Sequence, residues 1–229
     1  MSLDALPREI GVFPLPGALL LPGGRLPLNV FEPRYLALVE DALRDARCFG
    51  MIQPDAAAPA TPRGPALYRV GCLGRLSSFA ETDDGRYLIS LTGVARFRVA
   101  EELDLRRGHR VVRPDYAPFA ADLAPSGAAA PGATPSPPGP AEADGVDRAA
   151  LVTALRAYFR AKGIDANWDA VERMDTPSLV TNLAMVCPFE PREKQALLEA
   201  TDTPARAAML EALLRMDSLA APGHDARPS

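Results

Sequence analysis

Residues 13–35 read Phe13-Pro-Leu-Pro-Gly-Ala-Leu-Leu-Leu-Pro-Gly-Gly-Arg-Leu-Pro-Leu-Asn-Val-Phe-Glu-Pro-Arg-Tyr35, and this stretch decides the fold. Pro14, Pro16, Pro22 and Pro27 lack a backbone donor and, with Gly17, Gly23 and Gly24, set turns. Only short strands fit around them, at Ile10 to Leu15 and Leu26 to Val30. Pro33 stands where a first helical residue is expected, because its missing N–H would be unpaired there anyway. Glu32 is placed to cap that helix, and Phe31 and Leu36 are spaced for a hydrophobic staple. Tyr35, Leu36, Val39 and Leu43 line one face, and the helix is expected to end near Arg47, before Gly50. Arg34 is expected to pair with a carboxylate or a carbonyl. Leu19, Leu20 and Leu21, followed by Pro22, are three large apolar residues in a row, which cannot all face inward on a strand. One side is therefore expected to be an exposed contact.

Outward from this stretch, strand signals dominate. Leu67 to Leu76 alternates bulky and small residues, and Arg86 to Leu91 is β-branched and aromatic. Asp83-Asp84-Gly85 between them supplies a turn that tolerates positive φ, so Gly74 to Phe79 should pair with Arg86 to Leu91 as a hairpin. Ala95 to Val99 and His109 to Tyr116 read as two more strands. The head, residues 1–121, is predicted to be mostly antiparallel β with one inserted helix.

Residues 122–145 turn to Pro, Ala, Gly and Ser, a composition that cannot offset chain entropy by burial, and read as a linker or long surface loop. From 146 to 219 the apolar period becomes 3.6. Leu151, Val152, Leu155, Tyr158 and Phe159 make one stripe, while Thr176-Pro177, Glu190-Pro191 and Thr203-Pro204 open further helices. Four or five helices are expected, with Trp168 an anchor between them. Residues 220–229 read as a disordered tail. The fold class is α+β: a β-rich head followed by a C-terminal helical bundle.

The composition excludes several chemistries. The 229 residues carry a net charge of -4, and no run approaches the roughly 18 apolar residues of a membrane span. The N-terminus lacks a secretory pattern, so a cytosolic chain is expected. Cys48, Cys72 and Cys187, widely spaced and joined by only His109 and His224, form neither a disulfide framework nor a zinc site. Lys162 and Lys194 are the only lysines, and neither follows a phosphate-loop glycine pattern. No Gly-x-Ser-x-Gly elbow occurs, and Lys194 reads as part of a helix's polar face. Glu101-Glu102 and Asp83-Asp84 read as solvated charge. No catalytic residue, metal or cofactor is expected. Seven arginines against three acids between Arg86 and Arg113 leave a polyanion patch open, with Arg86, Arg96, Arg98, Arg110 and Arg113 its candidates.

The Phe13 to Tyr35 run resembles the opening signature of the N-terminal, substrate-binding domain of Lon proteases. So do Cys48-Phe-Gly-Met-Ile52, Val70-Gly71-Cys72, Asp84-Gly85-Arg86-Tyr87 and Leu91-Thr-Gly-Val-Ala-Arg-Phe-Arg-Val99. The tail, including Glu193-Lys-Gln-Ala-Leu-Leu-Glu199, extends the resemblance to about Leu219. It implies a six-stranded, PUA-like pseudobarrel followed by a helical bundle, with Phe31, Glu32, Pro33, Arg34 and Tyr35 as a structural motif. Asn29 stands where this family commonly has histidine, and the Pro-rich segment is a further departure. The ATPase and Ser-Lys protease domains of full Lon enzymes are not expected before the end at Ser229.

The expected function is non-catalytic binding of unfolded or flexible polypeptide, or of a partner protein, with Leu19, Leu20, Leu21 and Pro22 as contacts. The alternative is RNA binding through the arginine-rich strands.

Overall fold

The computed structural model describes residues 2–124 and 145–220. The expected linker, but for its ends, and the expected tail, but for Ala220, lie outside the described residues. Two compact units divide the rest: residues 2–124 with Glu190–Glu199, and residues 145–189 with 200–220.

Six strands build the first unit: β1 (Ile10–Pro14), β2 (Arg25–Val30), β3 (Cys48–Ile52), β4 (Val70–Glu81), β5 (Tyr87–Glu102) and β6 (Arg110–Asp115). Their order is β2-β5-β4-β3-β1-β6, and β6 returns to pair with β5. The long β5 therefore closes the sheet. Its first half lies between β2 and β4, and its second half reaches β6 through Arg98↔Asp115 and Glu102↔Val112. The two strands expected at Arg86 to Leu91 and Ala95 to Val99 are one continuous element. All pairings are antiparallel except β1 with β3.

The hairpin forms as predicted, with Leu76↔Leu91 and Phe79↔Ile89 opposed and a bulge between Leu76 and Ser78. Gly85 takes φ 78° at its turn, a conformation that costs a residue without Cβ little. Leu6, Ile10, Val12, Ile52, Leu73, Phe97, Val99, Val112 and Tyr116 form the core, with Leu123 packed against it. The head therefore continues past the boundary expected at Ala121.

Helix α1 (Pro33–Arg44) begins with Pro33 in the first turn and ends three residues earlier than expected. Its buried face is Tyr35, Ala37, Leu38, Val39 and Ala42, so the stripe runs through Leu38 and Ala42 rather than Leu36 and Leu43. Glu32 is the N-cap residue, but its side chain makes no cap bond and holds Arg34 at 2.8 Å instead. Phe31 makes no closed staple, being 62% exposed.

In the second unit, α2 (Arg148–Lys162) and α4 (Thr176–Val186) pack on α6 (Thr203–Ala220), and the short α3 (Trp168–Arg173) lies between α2 and α4 in sequence. The apolar face of α2 is Leu151, Ala154, Leu155 and Tyr158. Trp168 is an anchor as expected, with Phe159 at 5.8 Å and the Arg156 guanidinium 4.2 Å above it. The capping groups are one residue earlier than predicted. Asp175, not Thr176, accepts from the Ser178 N–H, and Asp202, not Thr203, accepts from the Ala205 N–H. Aspartate caps at least as well as threonine and leaves the hydroxyl residue inside the first turn. The bond from Ser178 holds the Asp175 carboxyl below its ordinary range.

Helix α5 (Pro191–Glu199), expected within the tail, belongs to the sheet-bearing unit. Gln53 Nε2 donates to the Pro191 carbonyl and to Gln195 Oε1, and Gln195 Nε2 donates to the Val70 carbonyl. Lys194 is buried and its Nζ donates to the Gly17 carbonyl at 2.9 Å, so it is no member of a solvated face. Buried polar groups must find partners, and here they tie a helix more than a hundred residues distant in sequence onto the barrel.

Gly93 marks the tightest packing of the barrel. A Cβ there would stand 2.0 Å from the Leu21 carbonyl oxygen and 2.7 Å from its carbon, both backbone atoms. Gly93→Ala is expected to cost about 1–3 kcal/mol through forced backbone movement, read as a lowered midpoint in urea unfolding.

Candidate functional site

The residues expected to make an exposed contact are in the core. Leu19, Leu20 and Leu21 are all buried, and Pro22 is half-buried. They lie in a loop between β1 and β2, not on a strand, so the alternation that would have turned one of them outward does not apply. Two glycines make room for them. Leu20 Cδ2 lies 2.8 Å from where a Cβ on Gly74 would be, and the Leu21 carbonyl fills the corresponding space at Gly93. In the motif that follows, Tyr35 is buried and stacks on Phe13 at 4.0 Å, while Arg34 lies 4.6 Å above the Tyr35 ring.

The arginine patch is largely neutralised. Arg96 is buried against Asp122 at 2.8 Å, and Arg110 is buried against Glu102 at 2.6 Å. Arg86 pairs with Asp84, and Arg113 with Glu101 and Glu9. Glu101 and Glu102 are therefore partners at the end of β5 rather than free solvated charges. Arg98 is exposed, and of the five it is the one that makes no ion pair among the described residues.

Among the described residues no group of three or more His, Cys, Asp or Glu could hold a metal ion. His109 is buried, its Nε2 3.9 Å from Asp41, and desolvation lowers its pKa. No described helix is long and apolar enough to cross a membrane.

An apolar surface does appear, on the outer side of the hairpin. Directly opposed residues in a sheet share a face and neighbours along a strand alternate. Ile89 and Leu91 are buried, so Leu88, Ser90 and Thr92 of β5 face outward. Opposite them stand Asn29 and Ala80 at Leu88, Pro27 and Ser78 at Ser90, and Arg25 and Arg75 at Thr92. The first two rows, with Leu28, Phe79 and Ile89, line a shallow groove of about 550 Å³. Leu88 is 46% exposed; Phe79, 39% exposed, opposes Ile89 and stands on the other face of the hairpin, its ring 5.0 Å from that of Tyr87. Asn29 thus lies beside the most exposed leucine of the groove.

The signal for this face was present in the sequence. Leu88 and Ile89 are adjacent apolar residues within a strand, so one of them must point outward. The same argument applied to Leu19 to Leu21 failed only because those residues are not in a strand.

A sheet closed on itself by one long strand, carrying an inserted helix and followed by helices, defines an α+β pseudobarrel domain with an open apolar face. The chain belongs to the ATP-dependent protease La (LON) substrate-binding domain family, whose model matches residues 9–216. Its relatives include Lon protease 2 of Myxococcus xanthus, 31% identical over 101 residues, or 44% of this chain and 12% of that protein. Lon protease of Anaeromyxobacter dehalogenans is 32% identical over 101 residues, with the same coverage. The chain thus spans about an eighth of the length of these relatives. Two solved structures share the fold. The Lon N-terminal domain protein from Xanthomonas campestris is 24% identical, with 89% of this chain and 97% of that one covered at a TM-score of 0.56. The N-terminal domain of Mycobacterium avium complex Lon protease is 15% identical, with 90% and 97% covered at 0.58.

Proposed function

We propose that this domain binds unfolded or flexible polypeptide segments in the cytosol, and that its recognition face is the outer side of β2, β5 and β4. The carrying observation is the exposure of Leu88 on the outward face of β5, in a shallow groove lined there by Pro27, Asn29, Ser78, Ala80 and Ser90. Exposed apolar surface of this kind, rimmed by polar groups, suits contact with another chain. The substrate-binding description of the family supports the reading, and the relatives are proteases that act on polypeptides. The domain contributes recognition and no bond-breaking step of its own. A nucleic-acid partner is less well served, because four of the five arginines proposed for it are committed to carboxylates.

The test is fluorescence anisotropy with a panel of unfolded model polypeptides. Leu88→Asp is expected to weaken binding about tenfold or more, because burying a leucine is worth about 1.5–3 kcal/mol. Its unfolding midpoint should stay near that of the unaltered protein, since the side chain is half in solvent already. Unchanged affinity in a folded Leu88→Asp variant would remove the face from the proposal.

A further inference from the structure

Strand β2 is the open end of the sheet. Every other strand pairs with two or more neighbours, whereas β2 pairs with β5 alone among the described residues. Which of its backbone groups are free follows from the ladder. In an antiparallel pair, opposed residues that exchange both backbone bonds alternate with opposed residues that exchange none. The Gly93 N–H donates to the Gly24 carbonyl at 2.9 Å, which sets the bonded positions of β2 at Leu26, Leu28 and Val30, opposite Leu91, Ile89 and Tyr87. Arg25, Pro27 and Asn29 therefore turn their backbone groups away from β5, and all three residues are exposed. Among the described residues these groups bond to nothing else. Pro27 falls at one of these positions because it has no N–H to give the ladder. The edge thus offers three carbonyls, at Arg25, Pro27 and Asn29, and two N–H groups, at Arg25 and Asn29.

Resting on the polypeptide-binding reading of this face, we infer that an extended client segment joins the sheet as an antiparallel strand beside β2. Its residues opposite Arg25, Pro27 and Asn29 donate their N–H groups to the three carbonyls, and the two outer ones accept from the two N–H groups in return. The client carbonyl opposite Pro27 is left to water. Opposed residues share a face, so the side chains of these three client residues lie outward and continue the rows Leu88–Asn29 and Ser90–Pro27 that line the groove. Backbone bonds hold the segment, and apolar side chains on alternate residues select it. Proline at any of the three alternate positions is excluded, because it would lack the donor. A second copy of the domain fits the edge less well. Two β2 strands related by a two-fold axis at Pro27 would set two carbonyls against each other with no donor between them, losing both central bonds. A client loses only one, and proline on an edge strand is a device against edge-to-edge pairing of copies.

The probe is a labelled, acetylated and amidated heptapeptide with leucine at its second, fourth and sixth residues and threonine or lysine between them, read by fluorescence anisotropy. N-methylation of any one leucine nitrogen is expected to weaken binding about three- to tenfold, the loss of one backbone hydrogen bond. N-methylation of an intervening residue, whose N–H faces solvent, should change it less than about twofold. Pro27→Ala restores the missing N–H at the edge without touching the ladder to β5, and is expected to tighten binding about three- to tenfold. The methylation pattern needs no altered protein, so the test does not depend on the folding of a variant. Equal effects of methylation at leucine and intervening residues, with unchanged affinity in Pro27→Ala, overturn the inference and leave the groove face standing. A stable dimer of the unaltered chain in sedimentation equilibrium that the peptide does not disperse gives the edge to a second copy and likewise overturns it. No binding of the unmethylated peptide overturns both readings.

Discussion

Leu20→Asp is expected to unfold the barrel unit rather than to alter its surface. Leu20 is 1% exposed, and its Cδ2 occupies the space that a Cβ on Gly74 would need. Removing a buried leucine side chain costs about 2–5 kcal/mol on its own. The aspartate that replaces it must either be buried as an ion or take up a proton, and both add to the loss. A total of about 5 kcal/mol or more equals the lower end of the whole stability of an ordinary domain. Circular dichroism and urea titration should therefore show a chain largely unfolded at room temperature. Polypeptide binding by such a variant says nothing about where the groove lies. Leu88→Asp supplies the contrast, because there the fold persists and the affinity falls. A Leu20→Asp protein that melted within a few degrees of the unaltered chain would contradict the placement of the Leu19–Leu21 loop inside the barrel.

These two leucines show what was legible in the sequence and what was not. The order of elements, the hairpin and the proline-opened α1 could be read because each depends on local chemistry: Gly85 at a turn, Pro33 in a first turn, alternation along a strand. The closure of the sheet could not, because it depends on β5 running unbroken through Gly93 and reaching three partners. Nothing in residues 86–99 alone distinguishes one long strand from two short ones. The same limit hid where α5 packs, because its buried Lys194 and Gln195 look like solvent-facing residues until the loop at Gly17 and the strand at Val70 are beside them. Polar residues at helical spacing are usually exposed, and only long-range partners reverse that expectation. For the site, the arginines were visible as a count, but their carboxylate partners come from β5, the hairpin turn before it, the segment before β1 and the turn after β6. Leu88 is readable from its own neighbours, whereas the longer apolar run Leu19–Leu21 is buried in a loop.

The second large effect is expected at the buried pair Arg96–Asp122. Asp122 Oδ2 accepts from the Arg96 backbone N–H at 3.0 Å and from its Nε at 2.9 Å, and Oδ1 accepts from Nη2 at 2.8 Å. Arg96 Nη1 donates to the Leu198 carbonyl at 3.2 Å, and the guanidinium lies 4.8 Å from the Phe119 ring centre. One side chain thus joins β5, the 3-10 turn Ala117–Leu123 and helix α5. Asp122→Ala leaves a guanidinium buried without its counter-ion, and Arg96→Ala leaves the carboxylate with a backbone donor only. Each is expected to destabilise the unit by about 3–5 kcal/mol in urea unfolding, because one member of a buried pair is worse alone than both absent. The double replacement Arg96→Met/Asp122→Leu should therefore be more stable than either alanine variant. Arg96→Lys should recover little, since an ammonium cannot reproduce the fork that meets both carboxylate oxygens. Losses below about 1 kcal/mol for both alanine variants would mark the pair as surface-like and free Arg96 for an external anion. On the geometry found, charge reversal at Arg96 reports on folding, and Arg98 is the position on this strand where it reports on the surface.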